Sequence, residues 1–411
     1  MPWQRARSRH GASTLQIDLL SPASFANGQP HEQFRWLRDN SPVHWHTEPN
    51  GPGFWAVTRY EDVRAVGRDA EHFSSVPTIM IPDPAPGSGM DFGDHQMMLM
   101  MDPPRHTDFR KIISREFTRG PAARFVPRAA ELARQIVDSV IARGECDFVS
   151  EVAGEMPSFV IAELMGMPLE DGRKLYALTE VIHSAPETLP EGAQAAAVMK
   201  MFEYGQQVIA EKRARPTDDL ATQILNAEVD GQRLDDFDFL LFFLLLIDAG
   251  GDTTRNLVAA GLLALLEHPN EFSKLRSDPD RLIPGARDEM LRWTSPVIYM
   301  RRTANAATMI GNQAIRAGDK VVMYYGAANR DSRKFPDPDR FDITRTPNDH
   351  IAFGQGPHIC LGQHLARVEI DALLKEVVTR MDGLRTTSAP EWLASNFISG
   401  PKKMPVRFNA R

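Results

Sequence analysis

The sequence predicts a mainly α-helical fold with a minor β portion, and three observations lead to this prediction. Helical spacing of apolar residues dominates after about residue 104, for example over residues 121–142. Residues from about 234 to 267 are apolar nearly all round, which predicts a helix of about 50 Å through the middle of the molecule. Strand and turn signals are confined to short segments.

The strands, the turns and the last helix are also predicted from their residue patterns. "VHWH" and "FWAVT" flank the turn-rich "EPNGPG", which predicts a hairpin. Residues 312–331 return to strand character with a turn at Ala317–Asp319, and the last helix is expected to begin at Leu361 and stop at Gly383. No linker separates these parts, so we expect one domain over residues 1–411, in which about residues 1–20 form a flexible extension.

Composition and charge exclude several classes of protein. A net charge of -7 without a long basic run argues against nucleic-acid binding. The two cysteines, Cys146 and Cys360, are too few for a disulfide framework and indicate a reducing compartment. The basic N-terminus is followed by no apolar stretch, and the run "FLLFFLLLI" (239–247) is too short to span a membrane. We therefore expect a cytoplasmic monomer without a membrane anchor.

Cys360 lies between glycines and a helix start, in "AFGQGPHICLGQHLAR" (352–367). It could be a small buried hydrophobe, a zinc ligand with His358 and His364, a nucleophile with His358 as base, or a thiolate ligand of haem iron. Structural zinc usually has more thiolates, and alternate residues of an extended loop point in opposite directions, which disfavours the second and third interpretations. Glycines permit a close backbone approach and a helix N-terminus lowers a thiol pKa, so this segment favours the haem ligand while burial stays open.

The long helix carries an unusual polar interruption, "DAGGDTTRN" (248–256). Glycines and threonines are poor interior residues for a helix, although Gly250–Gly251 alone could mark a tolerated kink. An opened groove explains more of the segment, because a small molecule can then lie against the backbone. The Thr253 hydroxyl could hydrogen-bond to that molecule, and Asp252 could pass protons inward.

These segments resemble a known family. "FGQGPHICLG" (353–362) matches the cysteine-loop signature FxxGxxxCxG of the cytochrome P450 family at every fixed position. "AGGDTT" (249–254) is similar to that family's oxygen-activating helix, and "EMLR" (289–292) to its ExxR motif. "DPPRHTDFR" (102–110) and "NRDSRKFPDPDRFD" (329–342) resemble further landmarks in the family's order. The resemblance runs from about residue 40 to the C-terminus.

The resemblance implies a cytochrome P450-like fold, with haem b (iron protoporphyrin IX) between the long central helix and the cysteine-loop helix. Cys360 would be the proximal iron ligand, and Thr253 and Asp252 the alcohol and acid on the dioxygen side. Arg301 could replace Arg302 as a propionate ligand. The positions implied to contact the haem and its propionates are His106, Arg110, Ala249, Arg302, His358, Cys360 and Gly362.

The ExxR motif has a structural role in this family. By the resemblance, Glu289 and Arg292 form a buried ion triad with Arg340 that holds the cysteine loop, and such a group mainly fixes geometry. Without the other motifs, "EMLR" would be interpreted as a surface salt bridge.

The implied reaction inserts one oxygen atom of O2 into a hydrophobic small molecule, namely a sterol, branched lipid, fatty acid or terpenoid. Electrons would come from a separate ferredoxin or similar redox partner, for which Lys111 and Arg115 offer a basic face, although a merely solvated face is the alternative. A haem-thiolate sensor or a peroxide-driven member are the other functions considered, and neither needs Asp252 and Thr253 together. The expected substrate pocket is formed by Met98, Met100, Ala249, Ile298, Phe397 and Ile398.

Overall fold

The computed structural model describes residues 15–84, 95–183 and 189–411, and it confirms the mainly helical fold with a minor β portion. Of the expected N-terminal extension, residues 1–14 lie outside the described residues. Leu19 within the remainder is fully buried, and its N–H donates to Nε2 of His46 at 3.1 Å, so this part of the segment is packed against the protein.

Helices make up most of the described chain. Their bounds are α1 (His31–Asn40), α2 (Tyr60–Arg68), α3 (Arg105–Ser114), α4 (Arg119–Ile141), α5 (Glu155–Leu164), α6 (Leu169–His183), α7 (Ala193–Ala214), α8 (Leu220–Leu225), α9 (Asp236–Glu267), α10 (Pro269–Ser277), α11 (Pro279–Thr294), α12 (Tyr325–Ala328) and α13 (Gln363–Arg380).

Helix α9 is the central element, as the sequence predicts. Its 32 residues span about 48 Å, and every residue of 239–247 and of 254–265 is buried. The Asp235 carboxylate accepts the N–H of Asp238 and so caps the N-terminus. Helices α5, α6, α7, α11 and α13 all pack against α9, which places the hydrophobic core around it.

The strands form small sheets. Their bounds are β1 (Val43–His46), β2 (Phe54–Val57), β3 (Phe73–Ser74), β4 (Glu145–Asp147), β5 (Glu228–Val229), β6 (Gln232–Arg233), β7 (Tyr299–Ala304), β8 (Thr308–Ile310), β9 (Gln313–Ile315), β10 (Lys320–Tyr324), β11 (Met381–Thr386), β12 (Glu391–Trp392), β13 (Pro401–Lys403) and β14 (Pro405–Ala410).

The largest sheet has the strand order β1-β2-β10-β7-β3, in which β10 runs parallel to β2 and the other pairs are antiparallel. The predicted hairpin is confirmed as β1 and β2, with Trp45 opposite Trp55. Strand β7 pairs with β10 so that Arg302 lies opposite Val321. This register holds Arg302 at a fixed place beside the cysteine segment.

The last helix is shorter than predicted. Gly362 is its N-cap, and α13 begins two residues after Leu361. It ends at Arg380 rather than near Gly383, because residues 381–386 pair with β14 as strand β11. Gly383 lies at a break in this pairing with a φ of +57°, a turn-like conformation that the sequence reading mistook for a helix stop.

A helix that crosses a bilayer needs about 20 predominantly apolar residues, so the helices of this chain can be compared with that length and hydropathy. Within the described ranges, none is both long enough and apolar enough to cross a membrane.

Candidate active site

A large cavity lies between α9 and the cysteine segment. Its empty volume is about 1570 Å³, which includes space that is open to solvent. Ala249 and Thr253 of α9 line one side, and Cys360 and Gly362 line the other. The predicted helix and the predicted cysteine loop therefore meet at one site.

The cysteine loop is shaped by two glycines. Gly354 and Gly356 have φ values of +73° and +78°, a region that favours glycine. A Cβ atom at Gly356 would lie 2.1 Å from the carbonyl oxygen of Gly67 in α2, so no side chain fits there. The loop then turns back so that the N–H of Cys360 donates to the carbonyl of Phe353 at 2.8 Å. The glycines thus fix the backbone that presents Cys360 to the cavity.

The Cys360 thiol is subject to opposing influences. Burial raises its pKa, while the N–H groups of Gly362 and Gln363 and the positive charges of Arg110 and Arg367 act to lower it. The N–H groups at the start of α13 lower the pKa of Cys360, as the sequence predicts, but burial raises this pKa by more. A metal ion takes the sulfur as a thiolate and releases its proton, so the raised pKa opposes a free thiolate rather than a ligated one.

Two arginines bring positive charge to the cavity. Arg110 of α3 and Arg302 of β7 both line it, and burial lowers the pKa of both guanidinium groups. The guanidinium of Arg301 instead pairs with Asp83 at 2.6 Å. Successive side chains of a strand point to opposite faces, which separates the two neighbours. Arg302, and not Arg301, is therefore placed to bind a carboxylate in the cavity.

Two histidines share this edge of the cavity. The rings of His106 and His358 pack together with centroids 3.9 Å apart, and Nε2 of His358 lies 3.1 Å from Oγ of Ser75. Burial, followed by the charge of Arg110, lowers the pKa of His106 to about 4; burial, followed by Arg302, lowers that of His358 to about 2. Both imidazoles are neutral near pH 7 in this structure. Arg110 and Arg302 are therefore the cationic groups at this edge of the cavity, and the two histidines offer neutral N–H donors.

These residues fit a haem group. Haem needs one axial ligand, partners for two propionate carboxylates, and a slot in which its face meets backbone or small side chains. The cavity offers the Cys360 sulfur, two guanidinium groups and two imidazole donors. At Gly362 an added Cβ would meet no atom of the described residues within 4 Å, so the backbone there is open to the cavity.

On the α9 side, the structure separates the predicted acid from the predicted alcohol. Thr253 lines the cavity, and its hydroxyl donates to the carbonyl of Ala249 at 2.9 Å. Asp252 is 3% exposed and is not part of the cavity wall. Its Oδ1 lies 3.3 Å from Nη2 of Arg255. The alcohol therefore faces the cavity, while the acid faces another part of the protein.

The ExxR pair is fully buried, but its third partner differs from the prediction. Glu289 and Arg292 are both 0% exposed and are joined by Nη2–Oε1 and Nε–Oε2 contacts of 2.7 and 2.8 Å. Nε of Arg345 lies 3.2 Å from Oε2 of Glu289, whereas the Arg340 side chain is 65% exposed and faces Asp342. The prediction of Arg340 is wrong because its turn directs the backbone carbonyl inward, where it accepts from both arginines.

The predicted pocket residues divide into two groups. Met98 and Ala249 line the cavity, and the other predicted positions do not: Met100, Ile298, Phe397 and Ile398. Ile298 is 0% exposed, and its N–H donates to the carbonyl of Phe397 at 2.8 Å behind the wall. Its neighbour Val297 lines the cavity instead, because side chains alternate along an extended chain.

Sequence reasoning missed several cavity residues, among them Tyr325 of α12 and Val160 of α5. Glu369 of α13 is the most unusual of them. It is 5% exposed, its Oε2 has no hydrogen-bond partner among the described residues, and burial raises its pKa to about 8. The available signal was its position four residues after Leu365, which places a carboxyl on the apolar face of the last helix.

Comparisons with known proteins agree with the family resemblance. A family model described as Cytochrome P450 matches residues 175–384. The chain is 38% identical over 402 residues to "Steroid C26-monooxygenase" of Mycolicibacterium smegmatis, covering 95% of this chain and 96% of that protein. It is 38% identical over 389 residues to "Methyl-branched lipid omega-hydroxylase" of Mycobacterium bovis, covering 92% and 90%.

A solved structure matches over nearly the whole chain. The matching structure is "Mycobacterium marinum cytochrome P450 CYP268A2 in complex with pseudoionone", which has a TM-score of 0.90 and 37% sequence identity to this chain. The match covers 98% of this chain and 100% of that one.

Proposed function

We propose, from the premise that this chain belongs to the cytochrome P450 family and is a monooxygenase of that family, that it hydroxylates the branched alkyl end of a sterol or methyl-branched lipid. A fatty acid or terpenoid is the second choice of substrate. The full-length match to a solved relative also supports one catalytic domain over residues 1–411.

The observation that carries this proposal is the apolar wall of the cavity. The described residues that line it include Met98, Leu99, Leu245, Leu246, Val297 and Met300. Methionine and leucine side chains adapt to an irregular apolar guest, and they offer no partner for a charged group. An alkyl chain end can therefore approach Ala249 and Thr253 without losing hydrogen bonds to water. The names of the two relatives, which specify steroid carbon 26 and the omega position, favour a chain end over a ring.

The chain's own residues would hold haem b and handle protons. The Cys360 thiolate would be the axial ligand, and Arg110 and Arg302 would pair with the propionates. When bound, haem supplies the activation of dioxygen, for which an electron-rich thiolate is suited. The Thr253 hydroxyl donates a hydrogen bond to the Ala249 carbonyl, which leaves its oxygen lone pairs to accept a hydrogen bond in the cavity. Asp252 would supply protons from behind this hydroxyl.

Electrons would come from an acidic ferredoxin that docks beside the cysteine loop. Arg110 donates to the carbonyl of Ile359 at 2.6 Å, so α3 lies against this loop. Lys111 and Arg115 follow on α3 and the next turn, and both are exposed. Reversal of both charges should slow reduction by the partner at low salt and leave substrate binding unchanged, and an unaffected reduction rate at low salt would place the docking site elsewhere.

Matched steroid ligands test the proposed substrate class. The haem-loaded protein is titrated with a 3-keto steroid that carries an intact branched side chain and with the same ring system without the side chain. Only the first should change the spin state of the iron with micromolar affinity and give a product hydroxylated at the chain end. Equal binding of both, or hydroxylation of the rings, would contradict the proposal.

A further inference from the structure

Arg255 of α9 is a buried cation that serves two carboxylates from different helices. It is 2% exposed, and its Nη2 lies 3.3 Å from Oδ1 of Asp252 one turn earlier in the same helix. Its Nη1 pairs with Oε1 of Glu180 in α6. Its guanidinium carbon also lies 5.0 Å from the centre of the Tyr176 ring. Arg255 therefore joins the predicted acid of the active site to helix α6.

The close approach of α6 is prepared by a glycine in α9. A Cβ atom at Gly251 would lie 2.9 Å from the ring of Tyr176, so a side chain there would push α6 away. Because Gly251 leaves this space, Tyr176 can cover Arg255 and Asp252 from the α6 side. Asp252 is thus held away from the cavity, although the neighbouring Thr253 lines it.

We propose that Arg255 is a positioning residue that holds Asp252 on the α6 side of α9, and that Glu180 is the second anchor that allows Asp252 to leave. This inference rests on the proposed function, in which Asp252 supplies protons to the cavity. In the step, the Asp252 carboxylate takes a proton from solvent and leaves Arg255 as the neutral acid. It gives that proton to an acceptor in the cavity beside Thr253 and returns to Arg255 as a carboxylate.

The role of Glu180 follows from the cost of separating buried charges. When a buried ion pair breaks, the partner that stays behind becomes an uncompensated charge, and this opposes the separation. Here Arg255 keeps Glu180 when Asp252 turns toward the cavity, so its charge stays paired. Glu180 is 48% exposed, which also brings solvent to the outer end of this group of residues. Without Glu180, Arg255 would hold Asp252 more tightly.

The test compares Glu180→Gln with Glu170→Gln in the haem-loaded protein. Glu170 lies on the same helix, where its charge acts on Arg173 and Lys174, so it controls for the loss of one surface charge on α6. Turnover is followed with a heterologous ferredoxin, its reductase and the 3-keto steroid with an intact side chain. Solvent isotope effects, substrate affinity from spin-state titration and unfolding midpoints are measured alongside.

Glu180→Gln should lower the rate of product formation about fivefold and increase the solvent isotope effect, with substrate affinity and the unfolding midpoint unchanged. Glu180→Asp keeps the charge and should restore most of the rate, while Glu170→Gln should match the wild type. Equal rates for Glu180→Gln and Glu170→Gln would overturn the inference. A fall in rate that parallels a fall in affinity or in the unfolding midpoint would also overturn it, because it would show a purely structural role.

A parallel Asp252→Asn variant separates this inference from the proposed function. If Asp252→Asn turns over as fast as the wild type, Asp252 is not the proton source, so its role and this inference both fail while hydroxylation of the steroid still stands. If no variant and no wild type forms product, the proposed function itself fails. If Asp252→Asn is slow with an altered isotope effect and Glu180→Gln is normal, only the role of Arg255 and Glu180 is overturned.

Discussion

The cysteine side and the substrate side of the cavity are built differently. On the cysteine side the geometry is held by the backbone, through the positive φ angles of Gly354 and Gly356, and by the buried side-chain pair of Glu289 and Arg292. On the substrate side, apolar side chains from separate segments meet. Of two neighbouring residues in such a segment, one can face the cavity while the other faces away from it. The difference predicts that substitutions at a few positions on the cysteine side have large effects, whereas substitutions of single residues in the apolar wall have small ones.

The first prediction concerns Glu369 on the cysteine side, a buried carboxyl that, unlike Glu289, pairs with no cation among the described residues. Its pKa is raised from 4.5 to about 8 by burial, so the folded protein binds a proton that the unfolded chain has lost between these pH values. The contribution of Glu369 to the free energy of unfolding is fully present below pH 4.5. It falls by about 4 kcal/mol as the pH rises to 8. Glu369→Gln should therefore match the wild type near pH 4.5 and exceed it by about 4 kcal/mol at pH 8 in urea unfolding.

Glu376→Gln is the matched control for Glu369→Gln. Glu376 lies on the same helix and pairs with Arg380 at 3.0 Å, so its loss should cost at most about 1 kcal/mol at either pH. If Glu369→Gln shows the same small effect without pH dependence, Glu369 is not a buried unpaired carboxyl in the working protein.

A second prediction sharpens the account of the buried ion triad. Arg345→Met should lower the free energy of unfolding by about 3 kcal/mol, because Glu289 is completely buried and loses one of its two cations. Arg340→Met should change it by less than about 0.5 kcal/mol, since the Arg340 side chain is 65% exposed. Denaturant unfolding of the two variants measures the difference. A larger effect at Arg340 would restore the original prediction from the sequence.

The sequence predicted the two sides unequally, and for physical reasons. The glycines and Cys360 of residues 353–362 match a family signature, so the resemblance predicted the cysteine loop, although the local residues alone left burial of Cys360 open. Arg340 and Arg345 lie in the same polar turn region, and only the folded backbone decides which side chain turns inward. Ile298 and Val297 differ by one step of an extended chain, and a one-residue error exchanges the two faces. Nothing in the residues of α5 indicated that Val160 lines the cavity.

A third prediction tests the substrate wall and is the smallest in energy. Met98 lines the cavity and Met100 in the same short turn does not. Met98→Ala should weaken binding of the 3-keto steroid by about 1 kcal/mol, or about fivefold, through lost apolar contact. Met100→Ala should leave the affinity within about twofold. Spin-state titration measures both, and equal effects would mean that this turn adopts another orientation when substrate binds.

The most direct test of the central claim is the carbon-monoxide spectrum of the reduced, haem-loaded protein. The chain has two cysteines, and Cys146 of β4 is buried, with a pKa that burial raises to about 12. The wild type and Cys146→Ser should show the spectrum of a thiolate-ligated haem, and Cys360→His should retain some haem but lose that spectrum. A thiolate spectrum that persists in Cys360→His, or is absent from the wild type, would contradict the assignment of Cys360 as the iron ligand.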